Sequence, residues 1–244
     1  MDNLKAIIVA AGLGTRLGHL TEYTPKCLIE INGRNLLQRQ IDLLKKYNVD
    51  DIYVIIGIKG NCWTQKNVDQ IRQICPKVIA NLDNISTQNA YSLYLGLRNL
   101  NATVLAIDGD LFFEENFLKE VLSSPYKTLI VTKRAKNRNT PGSKVLTRED
   151  GKKIIAIGQI IKPNENYFPW EIHSGFIKIN QKDLEEFKNE CGNPKHYAKG
   201  LDEVLNSYCQ NHEVYRISTK SRWVNINTPE SLGIAKRIVG EREL

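Results

Sequence analysis

A glycine-containing loop near the N-terminus carries the residue types that could bind a chain of phosphates. Its sequence is Ala-Ala-Gly-Leu-Gly-Thr-Arg, and Lys26 follows ten residues after Arg16. Gly12 and Gly14 can bring backbone N–H groups close to phosphate oxygens, because neither residue has a side chain. Arg16 adds a fork of hydrogen-bond donors and Lys26 adds a compact positive charge. The pattern is neither a P-loop nor a complete dinucleotide fingerprint, so a plain tight turn is the alternative interpretation of the glycines alone.

The surrounding pattern predicts the elements that position this loop. Short apolar, β-branched runs at 5–11, 51–58 and 103–107 indicate buried strands, and helical spacing marks 35–47 and 89–100. This alternation predicts an α/β fold with a doubly wound, mostly parallel sheet. Ligands of such sheets lie beyond the carboxyl ends of the strands. The glycine loop and Asp110, which follows the third of these strands, are therefore expected at the same edge.

The second half of the chain has a different pattern. From about residue 128, strand-like segments are separated by turn-rich loops, which predicts additional strands that extend or flank the sheet and shape an acceptor site. Helices are expected at 184–190, 201–210 and 229–237, and a strand at 214–218. We interpret residues 1–244 as one domain, with a nucleotide-binding part at 1–125 and an acceptor-binding part at 126–244.

Composition narrows the classes of function. Hydrophobic residues make up 41% and charged residues 25% of the 244 residues, as in ordinary globular proteins. The net charge of +7 suits anionic ligands, but no basic stripe indicates nucleic-acid binding. Five scattered cysteines, the absence of an apolar run of about 18 residues and the absence of a signal-peptide pattern predict reduced thiols, no membrane span and a cytoplasmic location. The oligomeric state stays open, a homo-oligomer included.

The loop and its surroundings together resemble the signature of the sugar-nucleotide and alcohol-phosphate nucleotidyltransferases. The matching segments are Ala-Ala-Gly-x-Gly-Thr-Arg-Leu, Thr-Pro-Lys, and Ile-Asp-Gly-Asp at 107–110. The resemblance implies that the chain binds a nucleoside triphosphate and a small phosphorylated acceptor, with Mg²⁺ as cofactor and pyrophosphate as product. It assigns catalysis to Arg16, Lys26 and Asp110, with Asp110 also holding the metal ion. The nucleotide-binding residues that it implies in these segments are Ala10, Ala11, Gly12, Leu13, Gly14, Thr15 and Asp108.

One motif departs from the family pattern. Most relatives have an acidic residue in the motif that follows Trp223, whereas this chain has Asn225 and Asn227. Mg²⁺ accepts amide oxygens, although it prefers carboxylates, so either residue can serve as a second metal ligand. The alternative is that both Asn side chains only cap the helix beginning at Pro229.

The nucleotide base is predicted from residues 86–94. This segment resembles the Asn-x-x-Ser-Leu segment of phosphocholine, inositol-phosphate and phosphonate cytidylyltransferases, which favours CTP. Gln88 and Asn89 could read the mixed donor and acceptor edge of cytosine, with Ser92 beside them. The alternative for Asn89 is a simple helix cap.

The acceptor is left open by the sequence. Aromatic and acidic residues near 167–171, together with Asp202, could bind an ammonium group or the hydroxyls of a sugar or inositol. The alternatives to cytidylyl transfer are a sugar-1-phosphate nucleotidyltransferase that uses UTP, GTP or dTTP, and a non-catalytic nucleotide-binding regulatory subunit. The candidate acceptor-binding residues are Lys162, Trp170, Glu171, Ser174, Gly175 and Asp202.

Overall fold

A large mixed sheet organises the computed structural model, which describes residues 3–137, 139–159 and 170–241. The strands are β1 (Leu4–Val9), β2 (Glu30–Ile31), β3 (Arg34–Asn35), β4 (Asp51–Gly57), β5 (Val78–Asn81), β6 (Thr103–Asp108), β7 (Leu111–Phe113), β8 (Leu129–Arg134), β9 (Lys144–Thr147), β10 (Ile154–Gly158), β11 (Glu171–Ile179), β12 (Tyr215–Ser218) and β13 (Trp223–Asn225). The α-helices are α1 (Leu36–Lys46), α2 (Gln65–Ile74), α3 (Asn89–Leu97), α4 (Glu115–Ser123), α5 (Leu184–Cys191), α6 (Leu201–Asn211) and α7 (Pro229–Gly240).

The nucleotide-binding half supplies four parallel strands, in the spatial order β5-β4-β1-β6. β11 then runs antiparallel between β6 and β8, and β12 pairs in parallel with β8. The sheet forks at β11, because its C-terminal half pairs with β6 while its first two residues pair with β9 of the β9–β10 hairpin. The predicted doubly wound, mostly parallel sheet with additional strands is confirmed.

Both faces of the sheet are buried, which explains the continuous apolar runs of the central strands. Buried side chains of α1, α2 and α4 pack on one face, and those of α3, α5 and α6 pack on the other. A third cluster joins α7 to Leu17, Ile29 and Phe112, and so packs α7 beside the segment that follows the glycine loop. These clusters pack the strands whose carboxyl ends carry the loops after β1, β4 and β6.

The structure also contains elements that the sequence pattern did not indicate. α2 was missed because only two of its side chains, Asn67 and Ile71, are buried, so its apolar stripe is weak. The strands β7, β9 and β13 have only three or four residues, too few for a period to be recognised. α3 ends at Leu97 and not at Leu100.

The sequence predicts that the protein has no membrane span and that its cysteines are reduced. In the part of the chain that the structure describes, no helix has the length and apolar character needed to cross a bilayer. All five cysteines are buried free thiols.

Candidate functional site

The glycine loop leaves β1 and turns sharply at Gly14. Gly14 adopts a φ of +69°, a left-handed conformation that favours glycine. A Cβ atom at this position would lie 3.1 Å from the Thr21 side chain and 3.3 Å from Cε of Lys26. The Gly14 carbonyl accepts hydrogen bonds from the backbone N–H of Leu17 and the hydroxyl of Thr21. The left-handed turn therefore favours glycine here, and the absence of a Cβ leaves room for the Lys26 side chain to pass close by.

Lys26 lies at the centre of a polar cluster. Its Nζ donates to Oδ2 of Asp110 at 2.9 Å and to Oδ1 of Asn227 at 2.8 Å. The guanidinium of Arg16 donates to the same Asn227 oxygen at 2.8 Å. Three chain segments that are far apart in sequence thus meet at one point. The predicted convergence of Arg16, Lys26 and Asp110 is present in the structure.

The two asparagines of the late motif have different environments. β13 pairs with β7 so that Asn225 lies opposite Leu111, and the N–H of Ile226 donates to the Asp110 carbonyl. Oδ1 of Asn225 is buried and has no hydrogen-bond partner among the described residues. Oδ1 of Asn227, by contrast, already accepts from Arg16 and Lys26.

The helix-cap interpretation of these asparagines is wrong. The N-cap of α7 is Thr228, whose hydroxyl accepts from the N–H of Ser231, and the Ser231 hydroxyl in turn accepts from the N–H of Thr228. This capping box satisfies the first turn of α7 without an asparagine side chain. Neither Asn side chain is therefore needed as the cap of α7.

A cavity of about 540 Å³ opens beside this cluster. It extends from the loop after β5, past the glycine loop and Asp110, to the start of α6. Its described lining residues are Val9, Ala10, Ala11, Gly12, Leu13, Gly14, Thr15, Arg16, Lys26, Cys27, Asn84, Ile85, Thr87, Gln88, Asn89, Ser92, Asp108, Gly109, Asp110, Gln159, Gly200, Leu201 and Asp202. All the residues predicted to bind the nucleotide belong to this set.

Three side chains predicted to bind the nucleotide differ in whether other protein groups already hydrogen-bond to them. Asn89 Oδ1 accepts from the N–H of Leu201, so Asn89 caps the start of α6 rather than its own helix. Ser92 is buried and accepts from Nδ2 of Asn81. Gln88 is exposed in the cavity, and its hydrogen bonds are made by its backbone, whose N–H donates to the Tyr197 carbonyl and whose carbonyl accepts from Ser92. Gln88 is consequently the side chain with the greatest freedom to contact a base.

Two carboxylates, those of Asp108 and Asp202, line the part of the cavity beside β6 and α6. Burial, with the nearby negative charges of Asp110 and Asp202, raises the pKa of Asp108 well above its usual value. Burial also opposes ionisation of Asp202, but hydrogen bonds from His173 and Ser143 lower its pKa overall. Nδ1 of His173 lies 2.9 Å from Asp202 Oδ1, and the Ser143 hydroxyl donates to the other oxygen. Asp202 therefore also ties α6 to β11.

The structure does not bring Trp170 and Glu171 to the cavity wall formed by the described residues. Oε2 of Glu171 accepts from the hydroxyls of Thr132 and Ser218, and Oε1 lies 3.3 Å from the Arg216 guanidinium. These contacts direct Glu171 towards β8 and β12. Trp170 is buried in the core, with the Lys144 ammonium 5.6 Å from its ring. Among the described residues, Trp170 and Glu171 therefore do not line this cavity, and their role in binding the acceptor stays a prediction.

The remaining predicted acceptor residues fall into two groups. Ser174 is fully buried, and its hydroxyl accepts from the N–H of Phe176. Gly175 lies directly against the side chain of Asp108. Lys162, with the aromatic residues Tyr167 and Phe168, lies outside the described residues.

The close contact between Gly175 and Asp108 leaves no room for a side chain at position 175. Gly175 has a φ of +85°, and a Cβ there would lie 2.3 Å from Oδ2 of Asp108. Gly175→Ala is expected to destabilise the fold by roughly 1–3 kcal/mol through the backbone conformation alone and to displace Asp108. Urea unfolding measures this loss. Gly233→Ala in α7 is the control, because its nearest neighbour would be 3.9 Å away. Equal stability of the two variants would contradict the close contact.

Comparison with known proteins identifies relatives of this chain. A model of the family described as "MobA-like NTP transferase domain" matches residues 6–222. Choline-phosphate cytidylyltransferase of Streptococcus pneumoniae is 36% identical over 121 residues, covering 49% of this chain and 50% of that protein. A bifunctional sugar-1-phosphate nucleotidylyltransferase/acetyltransferase of Sulfurisphaera tokodaii is 28% identical over 229 residues, covering 93% of this chain and 53% of that protein. The matched stretch thus spans about half the length of these curated relatives.

A solved structure extends the likeness over the whole fold. The CTP:phosphocholine cytidylyltransferase of Streptococcus pneumoniae superposes with a TM-score of 0.79 at 22% identity, covering 98% of this chain and all of that chain. At this level of identity the superposition establishes a shared fold.

Proposed function

This chain belongs to the MobA-like NTP transferase family, and from that membership we propose that it transfers CMP from CTP to a small phosphorylated or phosphonylated acceptor and releases pyrophosphate. The observation that carries the proposal is the meeting of Arg16, Lys26 and Asp110 beside the glycine loop, in one cavity. A regulatory subunit that had lost catalysis would not need all three groups at this point. Their joint presence favours an enzyme.

The proposed reaction needs no nucleophile from the protein. A phosphate acceptor with a second pKa near 6 is largely dianionic at neutral pH, and one of its oxygens can attack the α-phosphorus of CTP. A P–O bond forms to the acceptor while the bond between the α-phosphorus and the bridging oxygen breaks, and pyrophosphate leaves with the extra negative charge. Arg16 and Lys26 are positioned to bind that charge, so the protein contributes orientation and electrostatic stabilisation.

Asp110 and Asn225 carry oxygen atoms of the kind that Mg²⁺ binds, and we propose Mg²⁺ as the cofactor. Asp110 offers a carboxylate, and Asn225 offers a buried amide oxygen without a partner in the described structure. Among the described residues, no group of three or more His, Cys, Asp or Glu side chains is arranged to hold a metal ion. Mg²⁺ commonly uses one or two protein ligands and completes its shell with water and substrate phosphates. When bound, it would supply charge compensation for the triphosphate.

Replacement by Asp is expected to favour metal binding at position 225 and to impair nucleotide binding at position 227. Asn225→Asp adds a carboxylate where an oxygen is free, so the Mg²⁺ concentration for half-maximal activity is expected to fall roughly three- to tenfold. Asn227→Asp adds its charge between Arg16 and Lys26, where it competes with the triphosphate, so the KM for CTP is expected to rise. Asn225→Ala should raise the Mg²⁺ requirement. Superimposable magnesium titrations of wild type and both Asn225 variants would exclude Asn225 as a ligand.

Cytidylyl transfer is proposed from the similarity to the choline-phosphate enzyme and from the 86–94 segment. The 36% identity to that relative covers only half of the chain, whereas the 28% identity to the sugar-1-phosphate relative covers nearly all of it. The second candidate is therefore transfer of UMP, GMP or dTMP to a sugar 1-phosphate. The five buried free thiols favour a reducing compartment such as the cytoplasm for either reaction.

Pyrophosphate release distinguishes these candidates. Each of CTP, UTP, GTP and dTTP is combined with phosphocholine, phosphoethanolamine, an aminoalkylphosphonate, inositol 1-phosphate and glucose 1-phosphate. We expect kcat/KM to be at least roughly a hundredfold higher for CTP than for UTP, because two mismatched buried hydrogen bonds cost about 1–3 kcal/mol each. A higher value for another nucleotide would replace the CTP proposal with the sugar-phosphate reaction. No pyrophosphate with any combination would favour the regulatory subunit.

A further inference from the structure

Asn84 joins three loops at the end of the cavity that lies away from the acidic residues. It is buried, with 8% of its surface exposed, in the turn after β5. Its Oδ1 accepts from the N–H groups of Ile58 and Lys59, which follow β4. Its Nδ2 donates to the Lys59 carbonyl at 2.9 Å and, at the outer limit of 3.5 Å, to the carbonyl of Ala11 in the glycine loop. One amide therefore uses both of its acceptor sites and both of its donors.

The packing around Gly57 provides independent support for this junction. A Cβ at Gly57, the last residue of β4, would lie 2.5 Å from Nε1 of Trp63, 2.6 Å from Nδ2 of Asn84 and 2.8 Å from the Ala11 carbonyl oxygen. These three polar atoms thus crowd around one α-carbon. The backbone N–H of Ala10 also donates to the Ile55 carbonyl at 2.8 Å. The first residues of the glycine loop are consequently fixed against β4 on one side and against Asn84 on the other.

This junction connects two walls of the cavity. Ala11, Gly12 and Leu13 form one wall, and Ile85, Thr87 and Gln88 form part of the lining contributed by the segment after Asn84. The phosphate-binding groups Arg16 and Lys26 belong to the opposite end of the glycine loop. The spacing of the two walls therefore depends on Asn84, whereas the Lys26–Asp110 cluster does not contact it.

We propose that Asn84 is a positioning residue that sets the width of the base-binding slot, and that it thereby controls nucleotide affinity and discrimination between bases. This inference rests on the proposed nucleotidyl transfer, since it assigns the Asn84 end of the cavity to the base. Asn84 acts through the backbone of Ala11 and through the segment leading to Gln88. An amide is needed because two carbonyls and two N–H groups must be satisfied at the same time.

Asn84→Asp tests the proposal with little change in size. The carboxylate keeps the acceptors but loses both donors and faces the carbonyls of Ala11 and Lys59. The Kd for CTP, measured by titration calorimetry without an acceptor, is expected to rise roughly tenfold, and the ratio of Kd values for UTP and CTP is expected to fall roughly fivefold. The Kd for pyrophosphate should change by less than about twofold, because the Arg16 and Lys26 side chains that bind its charge make their hydrogen bonds to Asn227 and Asp110 and not to Asn84.

Asn67→Asp is the matched control. Nδ2 of Asn67 also donates to two backbone carbonyls, those of Tyr23 and Cys62, at 2.7 Å each, but neither residue lines the cavity. Asn67→Asp should lower the Tm as Asn84→Asp does, without altering the ratio of the Kd values for UTP and CTP. Asn84→Ala and Asn84→Ser provide the same measurement if Asn84→Asp does not fold.

The outcomes separate this inference from the proposed function. Unchanged CTP and UTP affinities in a folded Asn84 variant overturn it, as does an equal weakening of CTP, UTP and pyrophosphate. A wild type that prefers UTP contradicts the CTP proposal, yet loss of that preference in Asn84→Asp still supports the role of Asn84. A wild type that binds no nucleotide overturns both.

Discussion

Replacing Asp110 with Asn is expected to lower kcat by roughly a thousandfold or more while leaving the fold intact. Asp110 lies two residues after the end of β6, and its carboxylate accepts a hydrogen bond from Lys26, one of the groups that would bind the triphosphate. Removing one preorganised electrostatic group from an active site commonly costs about 10²–10³-fold in rate, and loss of a metal ligand adds to this effect. The amide keeps the size of the side chain, so the loss should reflect charge.

Asp83→Asn is the control for Asp110→Asn. Asp83 also pairs with a lysine, Lys59, at 3.3 Å, but both partners are largely exposed on the surface. Exposed ion pairs contribute about 0–1 kcal/mol, so activity should hardly change. Pyrophosphate release at saturating CTP and several Mg²⁺ concentrations gives kcat, and circular dichroism gives the Tm. Activity of Asp110→Asn within a few fold of wild type, at ordinary Mg²⁺, would remove Asp110 from the proposed metal site.

The position of Asp110 could be predicted because parallel strands bring their carboxyl ends to one edge. β1 and β6 are neighbours in register, with Val9 opposite Asp108, so the loops that follow them must be adjacent. The sequence needs only two buried strands and their direction for this inference. The same reasoning predicts the position of the glycine loop, whereas the role of Lys26 is predicted from its spacing after Arg16 and from the family resemblance.

The acceptor side was less predictable, because its residues are distributed by the fork in the sheet. β11 pairs with β8 along one edge, and along its other edge it pairs first with β9 and then with β6. Whether Glu171 faces the cavity or β12 depends on that pairing, and a shift of one residue reverses the answer. Neighbours in sequence therefore have different roles here, as Trp170 in the core and Gly175 against Asp108 illustrate.

Asn84, Gln159 and Gly200 had no recognisable signal in the sequence. A single polar residue after a short strand is typical of any turn. Asn84 becomes important only because the loops after β1 and β4 both reach its amide, and these contacts span 25 to 73 residues of chain. Similarly, the distinction between Asn225 and Asn227 arises from the pairing of β13 with β7, which a three-residue strand cannot reveal by its pattern.

Lys26→Met is expected to lower kcat/KM for CTP by roughly 10²–10³-fold and, at the same time, to lower the Mg²⁺ requirement. Lys26 neutralises Asp110 in the structure at a distance of 2.9 Å, with side-chain exposures of 14% and 20% for the two residues. Removing the ammonium deprives the triphosphate of a positive charge, but it frees the carboxylate for a metal ion. The substitution is therefore expected to impair catalysis but to improve Mg²⁺ binding. Loss of a lysine with only a structural role would instead lower kcat/KM and raise the Mg²⁺ requirement.

Lys26→Arg should not restore activity, which tests the geometry as well as the charge. Cε of Lys26 would lie 3.3 Å from a Cβ at Gly14, so the side chain passes close to the glycine loop. A planar guanidinium at this position is broader than an ammonium and would displace Asn227 or the loop. Lys59→Met provides the control, because Lys59 is an exposed lysine paired with an aspartate. Magnesium titrations, with kcat and KM for CTP measured separately, compare the four proteins. If Lys26→Met lowers kcat/KM but needs more Mg²⁺ than wild type, Lys26 does not compete with the metal for Asp110, and its effect is to hold the site together.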